Sequence, residues 1–308
     1  MPPMASTKET LAGGNIGPVR HQRHDSYLLP TDTIEERRLL EQQKALSELF
    51  GGRVLIAPVQ LSPGSEVLDV GTGAGAWALA VAESHPGAAA IDITCIDIGA
   101  DMFPKQHPPN MTFQVASALE MPAEWTNKFA LVHQRFILSG IKYDEWEQDI
   151  REIYRVTEPG GWAQLCEWNS VVYHQEQEAA GSIGNSKPGP AGTKVMNLWM
   201  RLGEKNGVDF LCPKRIPGLM EAVGFVDIRR EEWVVPLGAW NGDLSKTFAE
   251  NLETVYRGFK NAVLKQGGFG VVQGGEDYDA LINEVVREWA AGPGGYDSFV
   301  VFVGRKLQ

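Results

Sequence analysis

Cysteine is scarce in this chain of 308 residues, and Cys95, Cys166 and Cys212 are the full set. Three scattered thiols are too few for a disulfide framework, and their spacing matches no zinc pattern, so no metal is expected. Cys95 and Cys166 fall in apolar runs and read as small buried hydrophobes rather than reactive nucleophiles. The sequence has no uninterrupted apolar stretch of 18 residues, so no membrane span is expected. Its N-terminus lacks the apolar h-region of a secretory signal. These absences favour a reducing compartment, cytoplasmic or nuclear. Positive charge is also in deficit: 28 Lys and Arg stand against 39 Asp and Glu, a formal net charge of −11. That balance argues against a non-specific nucleic-acid binder, whose contact face is basic. It leaves a protein partner and the oligomeric state open.

The residues present divide the chain into five stretches. Residues 1–25 are rich in Gly, Pro, Ser, Thr and His without periodicity and read as a flexible lead-in. A helical cap is expected over 26–55, where Asp32 or Thr33 caps a helix and Glu36 completes a capping box with Thr33. Leu39, Leu46 and Phe50, flanked by Leu40 and Leu49, form its apolar stripe, and Gly51-Gly52 ends it. Residues 56–172 carry the alternating pattern of a core domain. Residues 173–224 read as a lid loop, Gly/Pro/Ser-rich over 174–192, with helices at Lys194–Asn206 and Ile216–Val223. Residues 225–308 hold a final strand pair with helices at about 245–265 and 277–290 inserted as a second cap.

Within the core, strands are expected at Glu66–Val70, Ala90–Ile98, Met111–Val115, Phe129–His133 and Trp162–Glu167. Ala76–Ser84 is the first helix, and Tyr143–Val156 is another, stopped by Glu158-Pro-Gly-Gly. Val226–Val235 and Ser298–Val303 add two more strands. Helical segments between strands imply right-handed crossovers and a parallel sheet. The fold class is therefore α/β: a Rossmann-like, doubly wound, seven-stranded sheet, mostly parallel with an antiparallel last strand, plus the helical caps.

One decapeptide carries most of the chemistry. Val67-Leu-Asp-Val-Gly-Thr-Gly-Ala-Gly-Ala76 ends a strand, makes a glycine-rich turn and opens a helix, the place where such sheets hold the charged end of a nucleotide-like ligand. Read as Gly71-x-Gly73-x-x-Ala76, it satisfies the dinucleotide fingerprint, and Asp97 stands where an acid grips ribose hydroxyls. Asp69 shifts the balance. A carboxylate beside this turn suits a ligand with an ammonium group, such as S-adenosylmethionine (SAM), and repels a pyrophosphate. NAD is the rival cofactor.

The motifs Val67-Leu-Asp-Val-Gly-Thr-Gly-Ala-Gly, Ile96-Asp97 and Pro159-Gly-Gly resemble those of class I SAM-dependent methyltransferases. The likeness narrows to fungal secondary-metabolism (LaeA-like) methyltransferases through Tyr27-Leu-Leu-Pro-Thr-Asp, Glu36-Arg-Arg-Leu-Leu-Glu-Gln-Gln, Val132-His-Gln-Arg135 and Glu152-Ile-Tyr-Arg-Val-Thr-Glu-Pro-Gly-Gly-Trp162. It covers most of residues 27–170. That group includes a regulator of secondary metabolism as well as small-molecule enzymes. The resemblance implies SAM as cofactor and methyl transfer to an oxygen, sulfur or nitrogen of a small molecule. The alternatives are a regulatory SAM-binding protein acting through protein partners and an NAD-dependent oxidoreductase.

The resemblance also implies roles. Asp69, Gly71, Thr72, Gly73 and Gly75 would hold the amino-acid end of SAM, Asp97 the ribose, and Ile98 the adenine face. Many of these enzymes carry an Asp at the adenine amino group; Ala116–Pro122 has none, so Ser117 and Ala118 take that place. His133 is read as a cofactor contact and candidate general base, its reference pKa of about 6.5 suiting that task, or else as a shaper of the pocket. Arg135 is read as a structural partner of Glu152 or Glu167. Tyr27, Trp168, Tyr173, Trp199, Tyr256 and Phe259 are the candidate substrate residues, since aromatic walls suit a small apolar acceptor.

Overall fold

The computed structural model describes residues 29–85, 90–169, 189–292 and 295–308. The expected flexible lead-in, most of the 174–192 loop, and the candidates Tyr27 and Tyr173 lie outside those residues.

Seven strands form one sheet in the order β3-β2-β1-β4-β5-β7-β6. They are β1 (Glu66–Val70), β2 (Asp92–Asp97), β3 (Met111–Val115), β4 (Phe129–Arg135), β5 (Thr157–Trp168), β6 (Phe225–Pro236) and β7 (Tyr296–Lys306). β1 to β5 run parallel, and β7 runs antiparallel to both of its neighbours, β5 and β6. Chain order reverses between β1 and β4. Strands there lead to opposite sides, so their carboxyl ends splay into a crevice, the usual ligand site of an open α/β sheet.

The sheet matches the expected fold class, with three local differences. β5 begins at Thr157, directly after the helix, so Pro159-Gly-Gly lies within the strand rather than before it. Gly160 takes φ +84, and the β4–β5 register slips between Phe129 and Leu131. The glycines therefore absorb a bulge. Next, no helix joins β2 to β3 among the described residues, and only a 3₁₀ turn at Ala123–Trp125 precedes β4. Finally, the long inserted helix is broken at Phe259.

Helix α1 (Thr33–Leu49) departs most from expectation. Asp32 is the N-cap, its Oδ1 accepting from the amides of Ile34 and Glu35. The third helical residue is thus Glu35, and the Thr33–Glu36 capping box does not form. The expected stripe is buried at Leu46 and Phe50 and half-buried at Leu39 and Leu49, but the buried face extends beyond it onto polar residues. Glu35, Arg38, Gln42 and Gln43 are buried alongside Ala45 and Leu46, while Leu40 is exposed.

Most of the polar face of α1 is satisfied because it meets a polar partner; Gln42 Oε1 is buried without a hydrogen bond among the described residues. α2 (Ala76–Ser84) and α3 (Trp146–Val156) flank the sheet, while α4 (Pro190–Asn206) and α5 (Ile216–Val223) follow β5. α6 (Asp243–Gly258), α7 (Lys260–Lys265) and α8 (Gly275–Ala290) form the insertion before β7. Arg38 bonds Glu35 at 2.6 Å within α1 and reaches Asn251 Oδ1 of α6 at 2.9 Å. Gln42 donates to the same oxygen at 3.1 Å, and Asn251 Nδ2 returns a bond to the Arg38 carbonyl. The first cap is thereby fastened to the second.

A buried ion pair is costly to break from one side, typically by 3–5 kcal/mol. Glu35→Ala is expected to destabilise the protein by about 3 kcal/mol in denaturant unfolding and to raise hydrogen exchange first in α1. A change within 0.5 kcal/mol would show that the seam carries no stability.

Candidate functional site

The register of β1 and β4 places Asp69 beside His133. Side chains of such a pair share a sheet face, and His133 Nδ1 stands 2.7 Å from Asp69 Oδ1. The other carboxylate oxygen accepts from the Thr72 hydroxyl at 2.6 Å. Asp69 therefore ties the glycine turn to β4. The His133 ring also stacks on Trp77 of α2, with centroids 3.8 Å apart and planes 6° from parallel. Burial depresses the His133 pKa against the opposing pull of Asp69. The ring is neutral at pH 7, and the geometry assigns its proton to Nδ1, facing the carboxylate.

Asp97 closes the turn from the other side, since its Oδ2 accepts the Gly73 amide at 2.8 Å. Burial pushes its pKa up, partly countered by the amides of Gly73, Gly99 and Ile98. Gly71, Gly73 and Gly75 all take positive φ, as the sequence requires of them. Gly75 serves packing: a Cβ there would stand 2.9 Å from the Phe113 ring. It starts α2 and is not part of the cavity wall.

The turn opens into a cavity of about 250 Å³. Its strand-end half is walled by Asp69, Gly71, Thr72, Gly73, Asp97, Ile98, Ser117, Ala118 and His133, all anticipated from sequence, together with Asp101 and Met102. The Ser117 hydroxyl accepts from the Leu119 amide at 3.1 Å, so it shapes its own turn. Leu39 of α1 roofs this half; its methyl would lie 3.1 Å from a Cβ on Gly73.

The other half is aromatic. Trp168, Trp199 and Phe259 line it as expected. Tyr256 does not; it backs Trp199 edge-on at 4.5 Å and sits outside the wall. Phe210, Leu252, Val255 and Phe299 complete the apolar lining, and Asp297 adds a carboxylate. Sequence reasoning missed Arg38, Gln42, Asn251 and Asp297 as lining residues. The 3–4-residue spacing of Glu35, Arg38 and Gln42 was a visible signal, as was an acid opening the otherwise apolar last strand. Arg135 lines the cavity too and bonds Gln43, not Glu152 or Glu167. Glu152 instead pairs with Arg155.

The three cysteines are free and buried, and burial pushes the Cys166 thiol up to about 12. No described helix is long and apolar enough to cross a membrane.

A family described as "Methyltransferase domain" matches residues 67–161. The chain is 30% identical over 244 residues to the N-methyltransferase sirN of Leptosphaeria maculans, covering 78% of this chain and 81% of that protein. It is 33% identical over 210 residues to the N-methyltransferase tcpN of Claviceps purpurea, covering 67% and 70%. The secondary metabolism regulator LAE1 of Cochliobolus heterostrophus is 25% identical over 228 residues, 72% of this chain and 69% of that one.

Several buried carboxyls set the pH response: burial pushes Glu167 well above the ordinary carboxylate range and raises Asp97 as well. Burial holds Asp297 and Asp149 of α3 at about 7 in the folded state, against about 4 in an unfolded chain. Between those values the native protein keeps protons that the unfolded chain has lost. Their stabilisation is therefore complete below pH 4 and is lost as pH rises through about 7. His133 has the opposite sign and acts on the acid side of 6.5. The ligand-free melting temperature should fall from pH 6.5 to pH 8, less steeply in Asp297→Asn. Parallel curves for the two proteins would contradict this assignment.

Proposed function

The chain belongs to the methyltransferase family, and from that premise we propose that it moves a methyl group from SAM to a nitrogen of a small molecule. One observation carries this reading: a single cavity joins a carboxylate-lined strand end to an aromatic chamber. The first half suits the donor and the second a small organic acceptor.

The residues present fit SAM. Asp69, Asp97 and Asp101 on one wall favour a ligand carrying positive charge and disfavour a pyrophosphate. Asp97 would hold the ribose hydroxyls, with Ile98 and the Ser117–Ala118 backbone around the adenine. Asp69 and the Nε2 lone pair of His133 would receive the methionyl ammonium, and Arg135 would pair with the methionyl carboxylate. When bound, SAM supplies a methyl group made electrophilic by its sulfonium. The remaining work is positional, because aligning two reactants removes several kcal/mol from the barrier.

For His133, the geometry supports holding over proton transfer, since Asp69 and Trp77 fix its ring to the turn. A regulatory reading is favoured less: a concave chamber walled by Trp168, Trp199, Phe210 and Phe259 suits an enzyme with a small substrate, whereas a partner-binding protein would show a shallow, exposed apolar crevice. N-methylation is the named activity of two of the relatives.

Incubation with labelled SAM and a pool of small nitrogen compounds should give a product labelled on nitrogen by mass spectrometry. Label on oxygen or sulfur alone would overturn the choice of atom. Asp97→Ala should weaken S-adenosylhomocysteine binding by about 1–3 kcal/mol in calorimetry. His133→Ala should weaken it as well; unchanged affinity with lowered turnover would return His133 to the role of base.

A further inference from the structure

Asp297 lines the cavity beside the Trp168 indole, and nothing in the donor site accounts for it. It lies at the start of β7, which is antiparallel to β5, with Trp168 opposite Phe299. That reversal brings the first residues of β7 to the same sheet edge as the carboxyl ends of the parallel strands. The side chain is 4% exposed and lines the cavity. Two donors reach it, the Trp168 indole N–H and the Ser298 amide, and both fall on Oδ1. No described residue donates to Oδ2, and no described cation pairs with the group. Its charged neighbour Glu232 is occupied elsewhere, accepting from the Ser298 hydroxyl and from Asn169.

A carboxylate in such surroundings has one oxygen oriented by the protein and one facing ligand space. An alcohol or thiol would meet it as a protonated carboxyl, since burial alone holds it at about 7, or else leave its charge without a counter-charge. An ammonium would neutralise it and lie against the π faces of Trp168, Trp199 and Phe259, which attract cations. We infer that Asp297 selects the acceptor, and that the acceptor is a basic amine with at least one N–H, bound as its ammonium between Oδ2 and those rings. This rests on the methyltransferase reading above.

The same oxygen completes the proton balance. The ammonium passes one proton to Oδ2, leaving a neutral amine and a neutral carboxyl. The freed lone pair forms the N–C bond to the methyl group as its bond to sulfur breaks, and sulfur keeps that electron pair. The product leaves as the methylated ammonium.

Three shape-matched probes test this: 2-phenylethylamine, 2-phenylethanol and 2-phenylethanethiol, titrated calorimetrically into protein saturated with S-adenosylhomocysteine. The amine should bind at least 10-fold tighter than either neutral probe. In Asp297→Asn, which keeps an Oδ1 for Trp168 and Ser298, the preference should vanish while S-adenosylhomocysteine affinity stays within 2-fold. Asp297→Ser serves as a second variant, and thermal unfolding checks that both fold. No amine preference in the wild type, or its survival in both variants, overturns the inference. If S-adenosylhomocysteine fails to bind wild-type protein, the methyltransferase reading fails instead.

Discussion

The arrangement of the site depends on one carboxylate, Asp69, held between the Thr72 hydroxyl and the His133 ring. It stands where the strand order reverses, and its two bonds join the three parts that must keep a fixed relation: the end of β1, the glycine turn and the end of β4. Trp77 extends the same unit into α2 by stacking on His133. Asp97 completes it from β2 through the Gly73 amide. A glycine turn alone would be permissive backbone, and these bonds give it a single shape. They also explain why a histidine at the mouth of a ligand crevice is neutral: burial outweighs the attraction of its own carboxylate partner.

The second constraint comes from the caps. A parallel sheet offers the ligand a crevice, but it does not cover one. Here α1 crosses the glycine turn, with Leu39 above Gly73, and is fastened to α6 through Glu35, Arg38, Gln42 and Asn251. Because this seam is polar and hydrogen-bonded, it is directional, and it sets the position of α1 more sharply than a leucine stripe would. The aromatic chamber is built at the same place. Trp199 from α4, Phe259 at the α6–α7 break and Phe299 from β7 meet under the caps. Tyr256 packs behind Trp199 and is itself fixed by the Tyr278 hydroxyl on its carbonyl.

How far the sequence disclosed this differs by region. β1, α2, β3 and α5 lie where periodicity and glycine punctuation place them, because each signal there is local. The strand-end half of the cavity was legible for the same reason: its residues sit at strand ends marked by Asp69, the glycines, Asp97 and His133. The aromatic half was only partly legible. Trp168, Trp199 and Phe259 were found by type, yet Asp297 and Asn251 reach the cavity through the antiparallel return of β7 and the docking of α6 on α1. Both are long-range events that no local pattern encodes. The α1 stripe was legible at Leu46 and Phe50, but its polar extension was not, because a partner helix rewards burial of Glu35, Arg38 and Gln42. Pro159-Gly-Gly was read as a helix stop, but the segment bulges inside β5.

Calorimetric titration of the ligand-free protein with S-adenosylhomocysteine and, separately, with NADH tests the central claim most directly, since the glycine turn would serve either class of cofactor and only the carboxylates around it choose. Saturable one-to-one binding of S-adenosylhomocysteine with no heat from NADH is the predicted result. Tight NADH binding without S-adenosylhomocysteine binding would contradict it.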